Sequence, residues 1–358
     1  MTDQSKPAIR PAALMAVLFF LALQGGGLAP ARAAESGGIG PRTACPRGTD
    51  QTRTMRRWPD RGYTVHLPPS YNRRQRHPVV IDLHGGGGNK AAARLQACPD
   101  QDPESPACLD RVADCEGFIV VYPDGSFESP LVKNIRTFNA GGGLGGYVCV
   151  SGYACQENID DVRFFSDLLD VLEKEYRIDP KRVYVTGLSN GAAMSHRLAC
   201  VLSERIAAIA SIGGGNQYAT GEECVPARSV PVLVIHGTAD HCFPYDGGYE
   251  RCSSSQPYGF RVAVQDTIAG WVSRNGCGST PAVVDWADHD PVDGTTVTEL
   301  IYPGCSNGGD VVLLRINGGG HTWPGGSDSL PEWITGKVSG EFSANRVMLE
   351  FFKAHPMK

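Results

Sequence analysis

The chain has 358 residues, of which 41% are hydrophobic and 20% charged, and it carries a formal net charge of −5. Its length accommodates one large domain or two ordinary ones, and its apolar content supplies a substantial core, which excludes an intrinsically disordered chain. Mild acidity without any basic block argues against nucleic-acid binding and against adsorption to an anionic membrane surface.

The first 33 residues read as a secretory signal. Lys6 and Arg10 form a positive start, Ala12 to Leu23 is apolar, and Ala31-Arg32-Ala33 offers a small-residue cleavage site. The apolar segment falls short of the roughly 20 residues a membrane span needs. No cysteine near the cleavage site could carry a lipid, so we expect a secreted protein, extracellular or periplasmic, with no stable membrane anchor. Residues 34–60 read as an N-terminal extension and residues 61–358 as one domain.

Within that domain, short β-branched apolar runs ending at Pro, Gly or Asp predict strands at Arg61–Leu67, Pro78–His84, Gly117–Tyr122, Arg182–Thr186, Ile206–Ile212, Val232–His236 and Val311–Ile316. Helical spacing of Val162, Phe165, Leu168, Leu169 and Leu172 predicts a helix over Asp160–Tyr176. Further helices are expected near Phe260–Asn275 and Ser343–His355. Val283–Trp286 and Val297–Tyr302, joined through Asp293-Gly294, read as a β-hairpin. Strands alternating with helices predict an α/β fold with a mostly parallel central sheet flanked by helices. Two stretches break the rhythm: Ala97–Cys115, rich in Pro and Cys, and Thr137–Cys155, which contains Gly141-Gly-Gly-Leu-Gly-Gly146. The second matches G-x-G-x-x-G, but no strand feeds it and no helix leaves it, so it reads as a loop near a site mouth rather than a dinucleotide cradle.

Gly187-Leu-Ser-Asn-Gly191 lies between a predicted strand and a helix opened by Gly191, Ala192 and Ala193. That is the context of a nucleophile elbow, in which a strained turn lifts Ser189 above the sheet. A serine hydroxyl needs a base, and the base needs an orienting acid. Asp240, just past the strand Val232–His236, is the candidate acid, with Asp246 in reserve. His321, on the glycine-rich loop after Val311–Ile316, is the candidate base and His241 its rival. The run His84-Gly-Gly-Gly-Gly-Asn89 follows a buried strand and suits an oxyanion hole, with donors from the N–H of Gly85 or Gly86 and of Asn190. No Gly-Lys-Ser/Thr ends the run, which excludes a phosphate loop. The spacing of Asp288, Asp290, Asp293 and Glu299 does not fit a calcium loop. Neither a metal nor another cofactor is expected.

All twelve cysteines lie beyond residue 33, with no C-x-x-C pair, as in an exported disulfide-bonded chain. They form local groups: Cys98, Cys108 and Cys115; Cys149 and Cys155; Cys242 and Cys252. Cys200 with Cys224 and Cys277 with Cys305 are candidates for longer links, and spacing leaves the connectivity open.

His84-Gly85, Tyr122-Pro-Asp-Gly125, Gly187-Leu-Ser-Asn-Gly191, His236-Gly-Thr-Ala-Asp240 and Gly319-Gly-His-Thr-Trp-Pro-Gly325 together resemble the secreted polyhydroxybutyrate depolymerase and feruloyl esterase group of α/β hydrolases. The resemblance runs from about Arg61 to the C-terminus. It implies the α/β-hydrolase fold, Ser189, Asp240 and His321 as a catalytic triad, an extracellular ester hydrolase needing no metal, and disulfides Cys200–Cys224 and Cys277–Cys305. The chain departs from the group where Cys149 and Cys155 are separated by an expanded loop, and around Cys98–Cys115 and Cys242–Cys252.

The expected function is hydrolysis of feruloyl or acetyl esters on plant polysaccharide, with a polyhydroxybutyrate (polyester) depolymerase as the alternative. No Ser/Thr-rich linker or separate polyester-binding segment follows the catalytic region, which tilts the expectation toward polysaccharide. Trp323, Phe243 and Tyr245 are candidate substrate contacts, with core packing as the competing role for each. A catalytically silent binding protein on the same fold and an acyltransferase are the other readings. No obligatory protein partner is evident.

Overall fold

Strands such as Pro78-Val-Val-Ile-Asp-Leu83 are apolar on both faces, so each must be covered from both sides. A computed structural model describes residues 45–129, 132–143, 153–251, 259–327 and 330–358. The expected signal segment 1–33, residues 34–44, Cys149 and Cys252 lie outside the described residues. In chain order the elements are β1 (Thr49–Met55), β2 (Trp58–Leu67), β3 (His77–Leu83), α1 (Lys90–Gln96), α2 (Leu109–Glu116), β4 (Ile119–Pro123), β5 (Ser126–Ser129) and β6 (Val132–Thr137). There follow α3 (Tyr153–Gln156), α4 (Asp161–Tyr176), β7 (Ile178–Leu188), α5 (Asn190–Val201), β8 (Ala208–Ile212), β9 (Val232–Gly237), β10 (Gly248–Tyr249) and β11 (Phe260–Arg261). The chain closes with α6 (Val264–Arg274), β12 (Ala282–Asp285), β13 (Thr296–Tyr302), β14 (Val311–Asn317), α7 (Glu332–Thr335) and α8 (Ala344–Ala354).

Ten strands form one sheet in the order β1-β2-β4-β3-β7-β8-β9-β14-β13-β12. The six from β4 to β14 are parallel, and antiparallel pairs close either side. Period-two alternation sends Val79, Ile81, Val183, Val185, Val232 and Val234 to one face, where α4, α5 and α6 cover them. Val80, Val120, Tyr184, Ala208, Leu233 and Ile235 point the other way, under α1, α2 and α8. The predicted α/β architecture and the Asp293-Gly294 hairpin are therefore observed. All six parallel strands present their carboxyl ends on one edge, where ligands bind in open α/β sheets.

Several elements differ from the sequence expectation. Residues 49–60, read as an extension, carry β1 and the start of β2. The Pro- and Cys-rich stretch holds α2, which buries Leu109, Val112 and Ala113 and ends at Gly117 with φ 75°. At seven to eight residues, α1 and α2 are too short for periodicity to declare them.

Between described residues, four disulfides staple the loops: Cys45–Cys115, Cys98–Cys108, Cys200–Cys224 and Cys277–Cys305. The last two are those the resemblance implied. Cys115 leaves its local group to reach back 70 residues to Cys45. Cys155 and Cys242 are disulfide-bonded as well. Among the described residues no helix is long and apolar enough to cross a membrane.

Loop-closure entropy ranks these bridges. Cys45–Cys115 closes a far longer loop than Cys98–Cys108, whose separation is 10, which corresponds to about 4 against about 3 kcal/mol. Replacing Cys45 and Cys115 by Ala should lower the unfolding free energy by about 1–2 kcal/mol more than replacing Cys98 and Cys108. Denaturant titration of the two double variants checks this; equal losses would contradict it.

Candidate active site

The candidate residues all lie where parallel strands end. β7 runs into Ser189, whose φ of 58° and ψ of −116° are strained for any residue with a side chain. The flanking glycines are required by close approach: a Cβ on Gly191 would sit 2.2 Å from the Leu83 carbonyl oxygen, and one on Gly187 2.6 Å from the same atom. The Ser189 N–H donates to the Ile212 carbonyl at 3.0 Å, anchoring the turn to the end of β8. α5 begins at Asn190, whose N–H is among the opening helical donors that lack an intrahelical acceptor.

β9 ends at Gly237, and Asp240 follows in a tight loop. Its Oδ1 accepts the N–H groups of Cys242 and Phe243 at 2.8 and 2.7 Å. Its Oδ2 lies 2.7 Å from His321 Nδ1 and 3.3 Å from His236 Nε2. Burial pushes the Asp240 carboxyl up, but the charge of His321 and the bonds from His236 and His321 outweigh it and hold the carboxyl below its ordinary range. An ionised carboxylate only accepts, so Nδ1 carries the proton and Nε2 is left as the basic nitrogen of His321. The ring lies over the end of β8, since a Cβ on Gly213 would sit 3.2 Å from His321 Nδ1. Ser189 and His321 thus both rest on the Ile212–Gly213 segment. His241 is exposed, and Asp246 has no part in the Asp240–His321 contact.

The glycine run after β3 lies alongside. Cβ atoms built on Gly85 and Gly86 would sit 3.6 Å from the Cβ atoms of Ser189 and Asn190 respectively. His84, fully buried, sets the geometry of this run. Its Nε2 accepts the Gly125 N–H at 2.9 Å, so Nδ1 carries the proton and donates to the Gly85 carbonyl at 2.8 Å. The Gly88 N–H donates to the same carbonyl at 3.0 Å. With the Gly85 oxygen held from two directions, the trans peptide turns the Gly86 N–H the opposite way. β6 braces both loops: Arg136 exchanges backbone bonds with Gly87 and Gly88, and the Asn190 side chain bonds the N–H and C=O of Phe138.

Residues 58–212 match the family described as "Putative esterase". That span includes Ser189 and ends before Asp240 and His321. Feruloyl esterase B of Piromyces equi is 27% identical over 72% of this chain and 42% of its own length. The bifunctional acetylxylan esterase/xylanase XynS20E of Neocallimastix patriciarum is 25% identical over 76% of this chain and 32% of its own. The matched family and both relatives are named as esterases, and it is these that the chain resembles. It spans less than half the length of these two curated relatives. The solved acetyl xylan esterase from Aspergillus awamori shares the fold, with a TM-score of 0.50 and 16% identity over 86% of this chain and all of that one.

The aromatic candidates sit in unexpected places. Trp323 is 1% exposed and donates its indole N–H to Asn345 Oδ1, in the layer under α8. Phe243 is 1% exposed and acts through its backbone, donating to Asp240 and accepting from His236 Nε2 at 2.7 Å. Tyr245 is buried, with its hydroxyl bonded to Gln265. None presents a ring to a substrate, because the loops after β9 and β14 fold their apolar side chains inward to pack. His84 and His236 close the predicted strands Pro78–His84 and Val232–His236, and only their spatial contacts tie them to the candidate site.

Among the described residues, two clusters bring potential metal ligands together. In the first, Asp240 and His321 already bond each other, and Cys242 is disulfide-bonded. In the second, the Arg94 guanidinium already pairs with Asp50 and Asp110, and both ring nitrogens of His66 are bonded to carboxylates.

Burial pushes His84 down to about 4 and His196, on α5, down to about 3. Both are neutral in the fold, while the unfolded chain protonates near the ordinary value of 6.5. Their contribution to stability is therefore full above pH 6.5 and is lost as pH falls toward 4 and then 3. His84 alone accounts for roughly 3 kcal/mol of that loss. Calorimetry across this range should show a falling Tm whose slope is shallower in His84→Asn; identical slopes would contradict the assignment.

Proposed function

We propose that this protein is a secreted serine carboxylic ester hydrolase acting through Ser189, His321 and Asp240. The observation that carries the reading is the 2.7 Å bond from His321 Nδ1 to Asp240, beside a serine displayed at φ 58° on the same strand edge. In this mechanism Nε2 of His321 takes the Ser189 proton as Oγ attacks the ester carbonyl. Asp240 holds the ring and stabilises the imidazolium. The N–H groups of Asn190 and of Gly85 or Gly86 face the developing oxyanion, each contributing roughly 3–4 kcal/mol to the transition state. The contacts of His84 favour Gly86. The imidazolium then protonates the departing alcohol, leaving an acyl-serine. Water, deprotonated by His321, cleaves that ester and restores the enzyme.

The names of the two curated relatives support feruloyl or acetyl groups on plant polysaccharide as the substrate class. The apolar segment at Ala12–Leu23, the Ala31-Arg32-Ala33 site and the disulfides support export.

Ser189→Ala should lower hydrolysis of p-nitrophenyl acetate by roughly 10⁴-fold or more with an unchanged circular dichroism spectrum. His321→Ala should do the same, and His241→Ala should stay active. Full turnover by Ser189→Ala would overturn the mechanism. A product assay across methyl ferulate, acetylated xylan and a 3-hydroxybutyrate oligomer tests the substrate class, with the oligomer expected to be the poorest.

A further inference from the structure

We propose that the surface around Trp333 is a subsite for neutral sugar residues of the polymer that carries the ester; this rests on the reading above. Of the five tryptophans, Trp333 alone is exposed, at 81%. It stands on α7; Leu330, just before α7, and Val292, in the β12–β13 connection, are exposed at 48% and 92%. An exposed indole leaves out of contact the large apolar surface that tryptophan ordinarily buries. At its chain neighbour Glu332 opens a cavity of about 430 Å³, whose lining includes Val292, Asp100, Asp293 and Lys337. That volume falls within the range of about 300–1,000 Å³ usual for ligand pockets.

The cavity belongs to the reactive edge of the sheet. Asp293 precedes β13, whose first residue, Thr296, pairs with Asn317 at the carboxyl end of β14. The backbone of the α7 segment is bonded to the His321 loop: the Gly320 N–H donates to the Lys337 carbonyl at 2.9 Å, and the His321 N–H donates to that of Thr335. The Thr322 hydroxyl also donates to Lys337 at 3.0 Å. A polymer resting here would lie beside the loop that presents His321.

The lining chemistry selects the occupant. Three carboxylates can only accept hydrogen bonds, and a sugar residue brings several hydroxyl donors to them, while its C–H face stacks on an indole. Asp293 already accepts the N–H groups of Thr295 and Gly340, yet a carboxylate offers about four acceptor positions. A polyester chain has acceptor oxygens alone, which the same carboxylates repel. An anionic polysaccharide would meet three negative groups against the single Lys337.

Trp333→Ala should raise KM for acetylated xylan about five- to tenfold, leave kcat in place and leave p-nitrophenyl acetate hydrolysis unchanged, with Trp333→Phe restoring most of the loss. Titration of unesterified xylohexaose into inactive Ser189→Ala protein should show binding that Trp333→Ala weakens. Equal losses on polymer and small ester would overturn the subsite, as would absent xylohexaose binding together with Trp333-dependent adsorption to poly-3-hydroxybutyrate particles. Because that titration requires no turnover, it is read separately from p-nitrophenyl acetate hydrolysis, whose absence in the unmodified protein would defeat the parent reading instead.

Discussion

A residue with a Cβ does not rest at φ 58° unless its surroundings hold it there, and the structure around Ser189 is organised to do so. Gly187 and Gly191 let β7 and α5 close onto the Leu83 carbonyl. The end of β8 accepts the Ser189 N–H, and the Asn190 side chain ties the first turn of α5 to Phe138. These restraints come from β3, β6, β7 and β8 together. The strain at one residue therefore depends on the order of strands in the sheet.

The same edge gathers the polar groups by a common device, a buried residue whose bonds leave one orientation open. Asp240 remains charged despite burial because two histidines and two backbone N–H groups converge on it. His84 stays neutral because burial removes the proton and the Gly125 N–H occupies its free nitrogen. For Asp240 desolvation alone would favour the wrong state and specific hydrogen bonds overturn it, whereas for His84 desolvation itself selects the neutral ring and hydrogen bonds fix its tautomer. The cost of such groups is borne by the apolar layers on either side of the sheet.

Most of the sheet was legible because its strands are short β-branched runs that end at turn residues, and Val79–Leu83, Val183–Thr186 and Val232–Ile235 need burial on both faces. The long amphipathic helix α4 was legible for the same reason of periodicity. α1 and α2 were not, since one or two turns carry too few apolar positions, and in α2 the proline- and cysteine-rich flank hides them. Residues 49–60 were misjudged because an edge strand with one exposed face carries polar residues such as Asp50, Gln51 and Arg53.

The sequence by itself determined the fold class and the chain order of Ser189, Asp240 and His321, because strand-turn-helix punctuation and glycine spacing are local properties. It also marked Cys200–Cys224 and Cys277–Cys305 through motif likeness. Only the tertiary structure decided that His84 and His236 bond Gly85 and Asp240, that Cys115 pairs with Cys45, that Trp323, Phe243 and Tyr245 turn inward, and that Trp333 alone among the tryptophans faces out. Those outcomes depend on which strands become neighbours and on which way each loop folds over its strand end. No residue type or spacing records that choice, since an aromatic side chain after a strand satisfies the same local pattern whether it packs inward or faces solvent.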